Sequence, residues 1–336
     1  PDLADAHYNL GLLQFLLGDF KNGWINYAWR MQREDPVARI RNYNEPVIKE
    51  QDDDGRSNQF ISLFEGKNIL VWMEQGVGDE ISFASMLGDL SRVAGKVVVE
   101  CDDRMLPLFN RSFPNIDFVA RTEPPTDDLT NGDFDFKIPA GHLGLYYRQD
   151  ANGAPQPRAY FRPDPEKQAA IRDIYTNRWP GKRLIGFSWR SGNPTVGQER
   201  SISLDQLIPV LSNQDCQFIN LQYDATDKDF VALEEKTGIK IYCDPLVDPM
   251  QDLDGLAAQV AALDLVISTT NTTVHMSGAV GVPTWVLLPR VPDWRWQLGR
   301  SDSLWYPNMQ LFRREKNEPW ETVIDRIQKR LMKGPQ

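Results

Sequence analysis

The segment EQGVGDE at residues 74–80 combines acidic side chains with glycines, directly after a predicted buried strand. Gly76 and Gly78 permit a tight turn there, and a helix is predicted to follow. Asp79 then has two compatible interpretations, as the N-cap of that helix and as a general base. Backbone N–H groups would orient its carboxylate and keep it ionised, which lowers its basicity. A base role would therefore need help from the bound substrate.

The same segment has an alternative interpretation as a dinucleotide-binding fingerprint, with Glu100 at the end of the next predicted strand as the ribose partner. Two features disfavour it. The third glycine position holds Ile81, and the carboxylates of Asp79 and Glu80 would repel the phosphates that a helix N-terminus attracts. A nicotinamide-dependent oxidoreductase is therefore kept only as a third functional hypothesis.

The segment STTNTTVHMSGAVGVPTW at residues 268–285 begins where a predicted buried strand ends. The hydroxyl and amide groups at the start of the following helix belong to Thr270, Asn271, Thr272 and Thr273. His275 follows one turn into the helix. Backbone N–H groups, hydroxyls and the helix dipole together suit an anion such as a diphosphate. The alternative is plain capping chemistry, with His275 as a satisfied core histidine.

Other candidate residues lie in segments of the second half. FSWRSGN at residues 187–193 follows a predicted strand and ends in small, turn-forming residues beside Arg190. The aromatic segments PDWRW (292–296) and SLWYP (303–307) suit stacking on sugars or bases, and equally suit packing between lobes. Residues 186–190 lack the second glycine of a nucleophile elbow, which disfavours covalent serine catalysis.

Length, charge and cysteine usage exclude several classes of protein. The 336 residues carry 37 Lys and Arg against 47 Asp and Glu, a net charge of −10, which predicts about two domains and disfavours nucleic-acid or anionic-membrane partners. Cys101, Cys216 and Cys243 lie far apart and no His has metal-ligand spacing, so we expect neither a zinc site nor a disulfide framework. Without a signal peptide or an apolar run of ~18 residues, a cytoplasmic protein with no membrane span is expected.

The elements that must position these residues begin with a helical segment at residues 1–35. Apolar residues recur there at helical spacing, at Ala6, Leu10, Leu13 and Leu17 and then at Phe20, Trp24, Tyr27 and Ala28. Two short antiparallel helices of this kind resemble one tetratricopeptide repeat of about 34 residues. Because one unit cannot bury its own apolar face, we expect the last unit of a longer array. The alternative is a helical hairpin packed on the main body.

Strands alternating with helices are predicted from residue 67 onward, which indicates an α/β fold with parallel sheets. The first lobe, residues 60–150, has predicted strands at 67–72 and 96–101, shorter apolar runs at 116–119 and 134–138, and helices at 80–92 and 104–111. Residues 150–166 are rich in Pro and Gly and are predicted to form a linker.

The alternation restarts in a second lobe, residues 165–318. Its predicted elements are strands at 183–189, 216–222, 239–242, 263–268 and 283–288, and helices at 204–211 and 253–262. A terminal helix within residues 319–333 is expected to cross back to the first lobe. Two doubly wound, Rossmann-like lobes bind ligands at the carboxyl ends of their strands, so the cleft between them is the expected site.

A series of segments, in this order, carries a family resemblance: EQGVGDEISFASML, WRSGN, RSISL, NLQ, DLVISTTNTTVHMSGAVGVPTWVLLP, DWRW, WYP and LFR. Residues 8–330 resemble bacterial tetratricopeptide-repeat proteins with a glycosyltransferase domain. That domain is similar to glycosyltransferase family 9, the heptosyltransferases, and more distantly to the family 41 O-linked N-acetylglucosamine transferases. The segment GDFKNGWINYAWR also matches the final repeat of the family, GDyxxGWxxYExR, except that YAWR replaces YExR.

The resemblance implies a GT-B fold, with the acceptor lobe first, and inverting sugar transfer from a nucleotide sugar without a cofactor or an obligatory metal. It implies Asp79 as the base, with Gln75, Gly76 and Gly78 on the acceptor side. The implied donor-binding residues are Arg190, Ser191, Gln222, Thr270, Asn271, Thr272, Thr273 and Gly278, with His275 as a second catalytic candidate and Trp294 and Arg295 as stacking or anion contacts. Heptosyltransferases usually carry Asp-Thr where this chain has Thr270-Asn271, so ADP-heptose is not assumed as the donor.

The resulting hypothesis is a glycosyltransferase of hexosyl or heptosyl type. Its acceptor hydroxyl would belong to a protein recruited by the repeats, or to a glycan. Arginines that cluster in the donor motifs would form a positive cleft for an anionic nucleotide, namely Arg190, Arg200, Arg290, Arg295 and Arg300. The alternative is a non-catalytic repeat scaffold, whose decayed transferase domain binds a nucleotide or a glycan. The missing Asp at position 270 favours that alternative.

Overall fold

The computed structural model describes residues 3–35, 38–41, 43, 63–150, 159–192 and 197–333. The chain forms two compact units, Pro1–Pro157 and Arg158–Gln336, each containing one parallel sheet, which confirms the predicted α/β class. Within the described ranges, no helix is long and apolar enough to cross a membrane. The linker predicted at residues 150–166 lies partly outside those ranges, and its last residues already belong to a helix that begins at Pro165.

The first unit opens with a helical hairpin. It consists of α1 (Ala4–Leu16), α2 (Phe20–Tyr27) and a 3-10 helix at Ala28–Gln32. Gly18 turns the chain between the helices with a φ of 85°, a conformation that favours glycine. Asp19 caps α2, because its carboxylate accepts a hydrogen bond from the backbone N–H of Asn22 at 3.3 Å. The predicted pair of helices is confirmed, and its membership of a tetratricopeptide array stays a prediction.

Helix α1 packs through a different face from the one that its leucine pattern suggests. Gly11 and Phe15 are buried against α2, and a Cβ at Gly11 would lie only 2.7 Å from the backbone nitrogen of Tyr27. Leu10, Leu13 and Leu17 are instead 45%, 50% and 68% exposed. The face of α1 that carries Gly11 therefore makes the close contact with α2, and the leucines form an outer apolar face.

The first unit then forms a four-stranded parallel sheet in the order β3-β2-β1-β4. Its strands are β1 (Asn68–Trp72), β2 (Lys96–Cys101), β3 (Asp117–Ala120) and β4 (Phe136–Pro139). Its helices are α3 (Val77–Ala84), α4 (Leu87–Ser91), α5 (Leu106–Ser112), α6 (Asp127–Thr130) and α7 (Gly144–Tyr147). The four strand predictions are confirmed. β1 is central, with Val71 paired to Val99 on one side and to Ile138 on the other, so its carboxyl end is held firmly.

The single helix predicted at residues 80–92 is wrong in its bounds. Helix α3 begins three residues earlier, and the helical conformation is interrupted before α4 begins. At the break, the backbone N–H of Ser85 bonds to the carbonyl of Ser82 and the hydroxyl of Ser85 bonds to the same oxygen at 2.7 Å. Such a competing side-chain bond and a tightened last turn end a helix that apolar periodicity alone would continue.

The second unit contains a five-stranded parallel sheet in the order β6-β5-β7-β8-β9. Its strands are β5 (Arg183–Ser188), β6 (Cys216–Asn220), β7 (Leu265–Thr269), β8 (Thr284–Leu288) and β9 (Met309–Arg313). Its helices are α8 (Pro165–Arg178), α9 (Gly197–Arg200), α10 (Leu204–Leu211), α11 (Asp227–Thr237), α12 (Leu253–Ala261), α13 (Thr272–Val280) and α14 (Trp320–Met332).

Several elements of this unit differ from the predictions. The strand predicted at residues 239–242 is wrong, since only Tyr242 forms an isolated bridge, with Ile219. The edge strand β9 and the helix α8 were not predicted, and α9 and α11 were expected only in general terms, as helices between strands. Helix α8 buries only Ile171 and Tyr175, so its polar composition hides the one apolar stripe that packs.

The terminal helix α14 packs into the core of the second unit. Its buried residues Val323, Ile324 and Ile327 join the same apolar cluster as Phe187 of β5 and Leu207 of α10. This contact covers one face of the sheet that carries the donor motifs. The predicted crossing of this helix to the first lobe stays a prediction.

Candidate active site

The glycine segment of the first unit lies at the carboxyl end of the central strand β1. Gly76 is the N-cap of α3, and its carbonyl accepts the backbone N–H groups of Asp79 at 2.9 Å and Glu80 at 3.0 Å. The N-cap prediction for Asp79 is therefore wrong, because glycine occupies that position. Asp79 lies in the first turn instead, where the helix dipole still favours a carboxylate.

Glu80 is a buried carboxyl group at the same edge of the sheet. It forms an ion pair with Arg121, which follows β3, and accepts a hydrogen bond from the backbone N–H of Asp102 at 3.0 Å. Burial raises the pKa of Glu80 to about 7, and the nearby Arg121 charge opposes that rise. Arg121 also donates to the carbonyl of Met73 at 3.0 Å, so this pair ties the ends of β1, β2 and β3 together.

Glu100, the ribose partner of the dinucleotide hypothesis, is committed to protein groups. Its buried carboxylate accepts two hydrogen bonds from Arg41, at 2.9 and 3.0 Å, and one from the Tyr43 hydroxyl at 3.0 Å. Burial, with the Glu100 charge beside it, raises the pKa of that hydroxyl. Because this carboxylate is 0% exposed and holds Arg41 and Tyr43, it is not presented to a ribose, so the third hypothesis loses the residue on which it depended.

The donor motif of the second unit lies where β7 meets α13. Asn271 is the N-cap, and its side-chain oxygen accepts the backbone N–H of Thr273 at 3.0 Å. Its amide group donates to the Ser188 hydroxyl at 2.5 Å and to the Arg190 carbonyl at 3.0 Å, which joins the ends of β7 and β5. The predicted polar helix start is confirmed, and Asn271 serves as its cap.

Two hydroxyls beside this cap have unused hydrogen-bonding capacity. The hydroxyl oxygens of Thr269 and Thr270 are buried and have no hydrogen-bond partner within the described part of the chain. Thr273, by contrast, donates to the Leu221 carbonyl at 3.2 Å. Because buried polar atoms are nearly always satisfied, these two hydroxyls are exceptions that call for an explanation. Thr272, the first helical residue, is partly exposed next to them.

Gln222 holds the loop after β5 in place. Its side chain is 1% exposed, and its oxygen accepts hydrogen bonds from the Ser188 hydroxyl at 2.8 Å and from the backbone N–H groups of Trp189 and Arg190, both at 3.0 Å. Its amide group donates to Asp224 at 2.6 Å. With both ends engaged, Gln222 positions the donor loop, and the geometry gives no support for a direct contact to a base or ribose.

Arg190 is held by carboxylates of the second unit. Its Nε donates to Asp224 at 2.9 Å, and its Nη2 lies 3.4 Å from Asp229. Its guanidinium also lies 5.4 Å from the ring centroid of Trp189. The neighbouring Ser191 receives support from Ser201, whose hydroxyl accepts the Ser191 backbone N–H at 3.0 Å. A phosphate that binds Arg190 must therefore compete with two carboxylates.

His275 is a neutral, paired histidine in this structure. Burial, together with the positive charge of Arg295, lowers its pKa to about 3. Its Nδ1 lies 2.9 Å from the Tyr306 hydroxyl, and its ring stacks on Trp296 at 5.8 Å. A neutral imidazole cannot supply positive charge to a phosphate, so the geometry supports the core-histidine interpretation.

The aromatic loop around Trp294 packs within the unit. Trp294 meets Trp305 edge to face at 5.4 Å, and the Arg295 guanidinium lies 4.3 Å from the Trp294 ring centroid. Arg295 is 3% exposed and bonds to Asp293 at 3.2 Å. These contacts favour packing over sugar stacking.

Packing around α13 explains why residue 278 is a glycine. A Cβ at this position of α13 would lie 2.4 Å from the ring of Tyr306 and 2.6 Å from Met309. The helix therefore needs glycine there to pack, and the structure gives no support for a donor contact.

Several residues of the two sites were not predicted as site residues. They are Arg30, Glu74, Arg121, Ser188, Asp224, Asp229 and Asp293. Glu74, Ser188 and Asp293 lie inside the segments 74–80, 187–193 and 292–296, and Asp224 closely follows the NLQ segment, so these four had a local signal. Arg30, Arg121 and Asp229 join the sites through contacts with Glu74, Glu80 and Arg190 over long sequence separations. The described parts of the chain hold no group of three or more His, Cys, Asp or Glu that could bind a metal ion.

No model of a known protein family matches the chain. Protein FlbA of Caulobacter vibrioides is 29% identical over 339 residues, a match that covers 97% of this chain and 54% of that protein. The chain thus spans about half the length of this relative.

Two solved structures share the fold. The glycosyl transferase family 9 protein from Veillonella parvula has a TM-score of 0.52 and 13% identity, with 81% of this chain and 91% of that one covered. The ADP-heptose lps heptosyltransferase II of E. coli has a TM-score of 0.56 and 13% identity, with 79% and 98% covered. The chain therefore has the α/β fold, with parallel sheets, of the GT-B heptosyltransferases.

Proposed function

We propose that the chain is an inverting glycosyltransferase, which moves a sugar from a nucleotide-sugar donor to an acceptor hydroxyl without an obligatory metal. One observation carries the proposal: the fold is that of family 9 transferases over about four fifths of the chain, and the predicted motifs lie at the carboxyl ends of the two sheets. In open α/β sheets this is the edge at which ligands bind.

Asp79 is the proposed base in the first unit. Its carboxylate would take the proton of the acceptor hydroxyl while that oxygen attacks the anomeric carbon. The new carbon–oxygen bond forms as the bond to the nucleotide diphosphate breaks, with inversion at that carbon. The position of Asp79 in the first turn of α3, whose N-cap is Gly76, supports this role, because that turn lies at the carboxyl end of the central strand β1.

The second unit is proposed to bind the donor and to stabilise the departing diphosphate. The N-terminus of α13, with the unpaired hydroxyls of Thr269 and Thr270, presents donors and a positive dipole end. Arg190 and Ser191 follow the neighbouring strand β5. These groups would stabilise the negative charge that develops on the leaving diphosphate. Interactions that strengthen as this charge develops lower the barrier to transfer.

The acceptor is proposed to be a protein or a glycan, with the helical hairpin as one unit of a repeat array. The outer face of α1 supports the array, since Leu10 and Leu13 on the helix and the flanking Leu3 and Leu17 are exposed apolar side chains. Stacked helical repeats cover such faces on their neighbours. The transferred sugar is proposed to be a hexose or a heptose.

One observation favours a second candidate, a scaffold that binds a nucleotide or glycan without transfer. Arg190 is already paired with Asp224 and Asp229, and His275 is neutral and paired with Tyr306. The transferase requires the second unit to bind a nucleotide sugar, whereas the scaffold binds a nucleotide or a glycan and gives Asp79 no chemical role.

Ligand binding is tested first with UDP, GDP, ADP and CMP in a thermal-shift panel. A nucleotide that binds only the folded protein raises the melting temperature by mass action. The proposal expects one of them to do so, and the corresponding nucleotide sugars are then assayed for hydrolysis or transfer. A protein that binds the nucleotide but neither transfers nor hydrolyses any of the sugars is the scaffold.

The role of Asp79 is tested with Asp79→Asn, which keeps the size of the side chain and removes its basicity. We expect transfer to fall by at least about a hundredfold while the nucleotide Kd stays within twofold, as estimated for a residue of the other unit. The matched control is Asp127→Asn, which changes an exposed acidic residue in the first turn of α6. Full activity of Asp79→Asn would remove Asp79 from the mechanism.

A further inference from the structure

A buried arginine of the helical hairpin forms an ion pair with the first residue of the glycine segment, residues 74–80, in the first unit. Arg30, in the 3-10 helix after α2, donates from Nε to one oxygen of Glu74 at 2.6 Å and from Nη2 to the other at 2.5 Å. Both side chains are 0% exposed. A bidentate Arg–carboxylate pair of this kind fixes the position and the orientation of both groups.

The surroundings of this pair leave no room for a second arrangement. The Glu74 oxygen that faces Nη2 also accepts the backbone N–H of Gly141 at 2.7 Å, and His142 lies 3.2 Å from the same guanidinium nitrogen. A Cβ at Gly141 would lie 2.7 Å from Nη2 of Arg30 and 2.8 Å from the carboxylate. Because an unpaired buried charge is costly, the pair must form whenever this part of the chain is folded.

The next residue of the segment is held from the hairpin as well. The side-chain amide of Gln75 donates to the hydroxyl of Tyr27, the last residue of α2, at 2.7 Å. Arg39, on the far side, donates from its backbone N–H to the Glu74 carbonyl and from its Nη1 to the Gln75 carbonyl, both at 2.5 Å. The two residues before the Gly76 N-cap are thus held through their side chains and their carbonyls. We call these contacts, made by Arg30, Tyr27 and Arg39, the clamp.

The hairpin itself is anchored independently of this clamp. The indole N–H of Trp24 donates to the carbonyl of Arg148 at 2.8 Å, and a Cβ at Gly144 would lie 2.3 Å from the Trp24 ring. Trp24 is 1% exposed. Because Trp24 fixes the hairpin on the rest of the unit, Arg30 and Tyr27 are themselves held in place, and they in turn hold Glu74 and Gln75.

We propose that Arg30 and Tyr27 are positioning residues, through which the hairpin fixes the turn at residues 74–79 and thereby the direction of Asp79. This inference rests on the proposed function for its effect on transfer, and on the geometry alone for its effect on the turn. The hairpin thus helps to build the candidate site of the first unit, in addition to any role in a repeat array.

The test compares two conservative variants with matched controls in the full chain. Tyr27→Phe removes one hydroxyl from the clamp, and Arg30→Lys keeps the charge but loses the bidentate geometry. Arg33→Lys is the control for the second, because Arg33 pairs with Asp5 at the partly exposed side of the same hairpin. Tyr147→Phe, in α7, is the control for the first, because the Tyr147 hydroxyl is buried in the same unit and has no hydrogen-bond partner within the described residues.

Amide hydrogen exchange of the peptide covering residues 74–80 reports the turn directly. We expect exchange there to be about tenfold faster in Tyr27→Phe and Arg30→Lys than in wild type, as estimated from the loss of one or two buried hydrogen bonds. Both controls should exchange like wild type at this peptide. Unchanged exchange in the two clamp variants would overturn the inference, whether or not the protein transfers sugar.

Kinetics then separate positioning from structural support. With an active donor, we expect the clamp variants to lose about tenfold in kcat, as estimated for a misaligned base, while the nucleotide Kd and the donor KM stay within twofold. Faster exchange together with a wild-type kcat would also overturn the inference. If wild-type protein transfers no sugar, the proposed function falls, and hydrogen exchange alone decides whether the hairpin holds the turn.

Discussion

Arg30 and Glu74 form a fully buried, bidentate ion pair between the helical hairpin and the residue that precedes the glycine turn of Asp79. The pair makes the hairpin part of the same compact unit as the first sheet. A repeat that served only to recruit a partner would need no charge in the core of the first unit. The hairpin and the candidate base are therefore coupled by one interaction that is expensive to break.

A double-mutant cycle measures that coupling. Arg30→Met leaves the Glu74 carboxylate buried without its partner, so we expect the free energy of unfolding to fall by about 3 kcal/mol or more. Glu74→Gln keeps an oxygen for the Gly141 N–H, and the double variant should lose less than the sum of the singles by at least about 1 kcal/mol. Urea denaturation of the four proteins gives the coupling.

The matched cycle for this measurement uses Arg33→Met and Asp5→Asn. That ion pair has a similar distance, 2.5 Å, but its side chains are 19% and 50% exposed. Partly exposed pairs contribute less than about 1 kcal/mol. Equal coupling in the two cycles would contradict the assignment of Arg30 and Glu74 as the interaction that joins hairpin and turn.

Glu80 predicts a specific dependence of stability on pH. Its folded pKa of about 7 lies above the ordinary value of 4.5, so the folded protein keeps a proton that the unfolded chain releases. The group's contribution is complete below pH 4.5 and is lost as the pH rises towards 7. Across that window the free energy of unfolding should fall, from this group, by at most about 1.4 kcal/mol per pH unit.

Urea denaturation between pH 4.5 and 8 tests this, with Glu80→Gln as the variant that cannot titrate. We expect the variant to lose the downward slope that Glu80 contributes. Glu65→Gln, which changes an exposed carboxylate of the same unit, should retain it. The same slope in wild type and in Glu80→Gln would show that the Glu80 carboxyl is ionised throughout.

His275 is expected to stay neutral at physiological pH. With a folded pKa of about 3 against an ordinary 6.5, it contributes stability above pH 6.5 that is lost as the pH falls towards 3. An NMR titration of the imidazole signals checks this, because the chain has only 3 histidines and His275→Gln identifies the signal. No change between pH 5 and 8 is expected. A midpoint near 6.5 would restore His275 as a candidate for phosphate binding.

The sequence was sufficient for the elements whose signal is local. The strands before Glu74 and after Leu263 are continuous apolar runs followed by polar turns, and the structure has β1 and β7 there. The edge strand β9 is a short run with polar and apolar residues mixed, and its assignment depends on β8 beside it. Tertiary pairing decides such a strand, and periodicity does not.

The candidate sites show the same division between local and distant causes. The glycine turn and the helix start at Asn271 follow from residues that are adjacent in sequence. Arg30 reaches Glu74 over 44 positions, and Tyr306 reaches His275 over 31. The contact between His275 and Tyr306, and the one between Arg30 and Glu74, come from the packing of separate elements, which no spacing rule contains.

Arg190 offers the sharpest test of donor binding, because its partners compete with any phosphate. Its guanidinium is bound to Asp224 and faces Asp229 at 3.4 Å. Asp229→Asn removes one competing charge and keeps a side-chain oxygen for the Thr226 N–H, which Asp229 now accepts at 2.9 Å. If Arg190 binds the diphosphate, this variant should bind the nucleoside diphosphate of the largest thermal shift several-fold more tightly.

The companion variant Arg190→Lys should weaken the same Kd by about tenfold, because lysine cannot form the bidentate contact that arginine makes with phosphate. The control is Asp227→Asn, in the first turn of the same helix α11. Titration calorimetry at one fixed salt concentration is needed, since exposed charges are screened. An Asp229→Asn Kd equal to that of Asp227→Asn would mean that Arg190 stays with Asp224. The diphosphate would then be held by the N-terminus of α13 and the hydroxyls of Thr269 and Thr270.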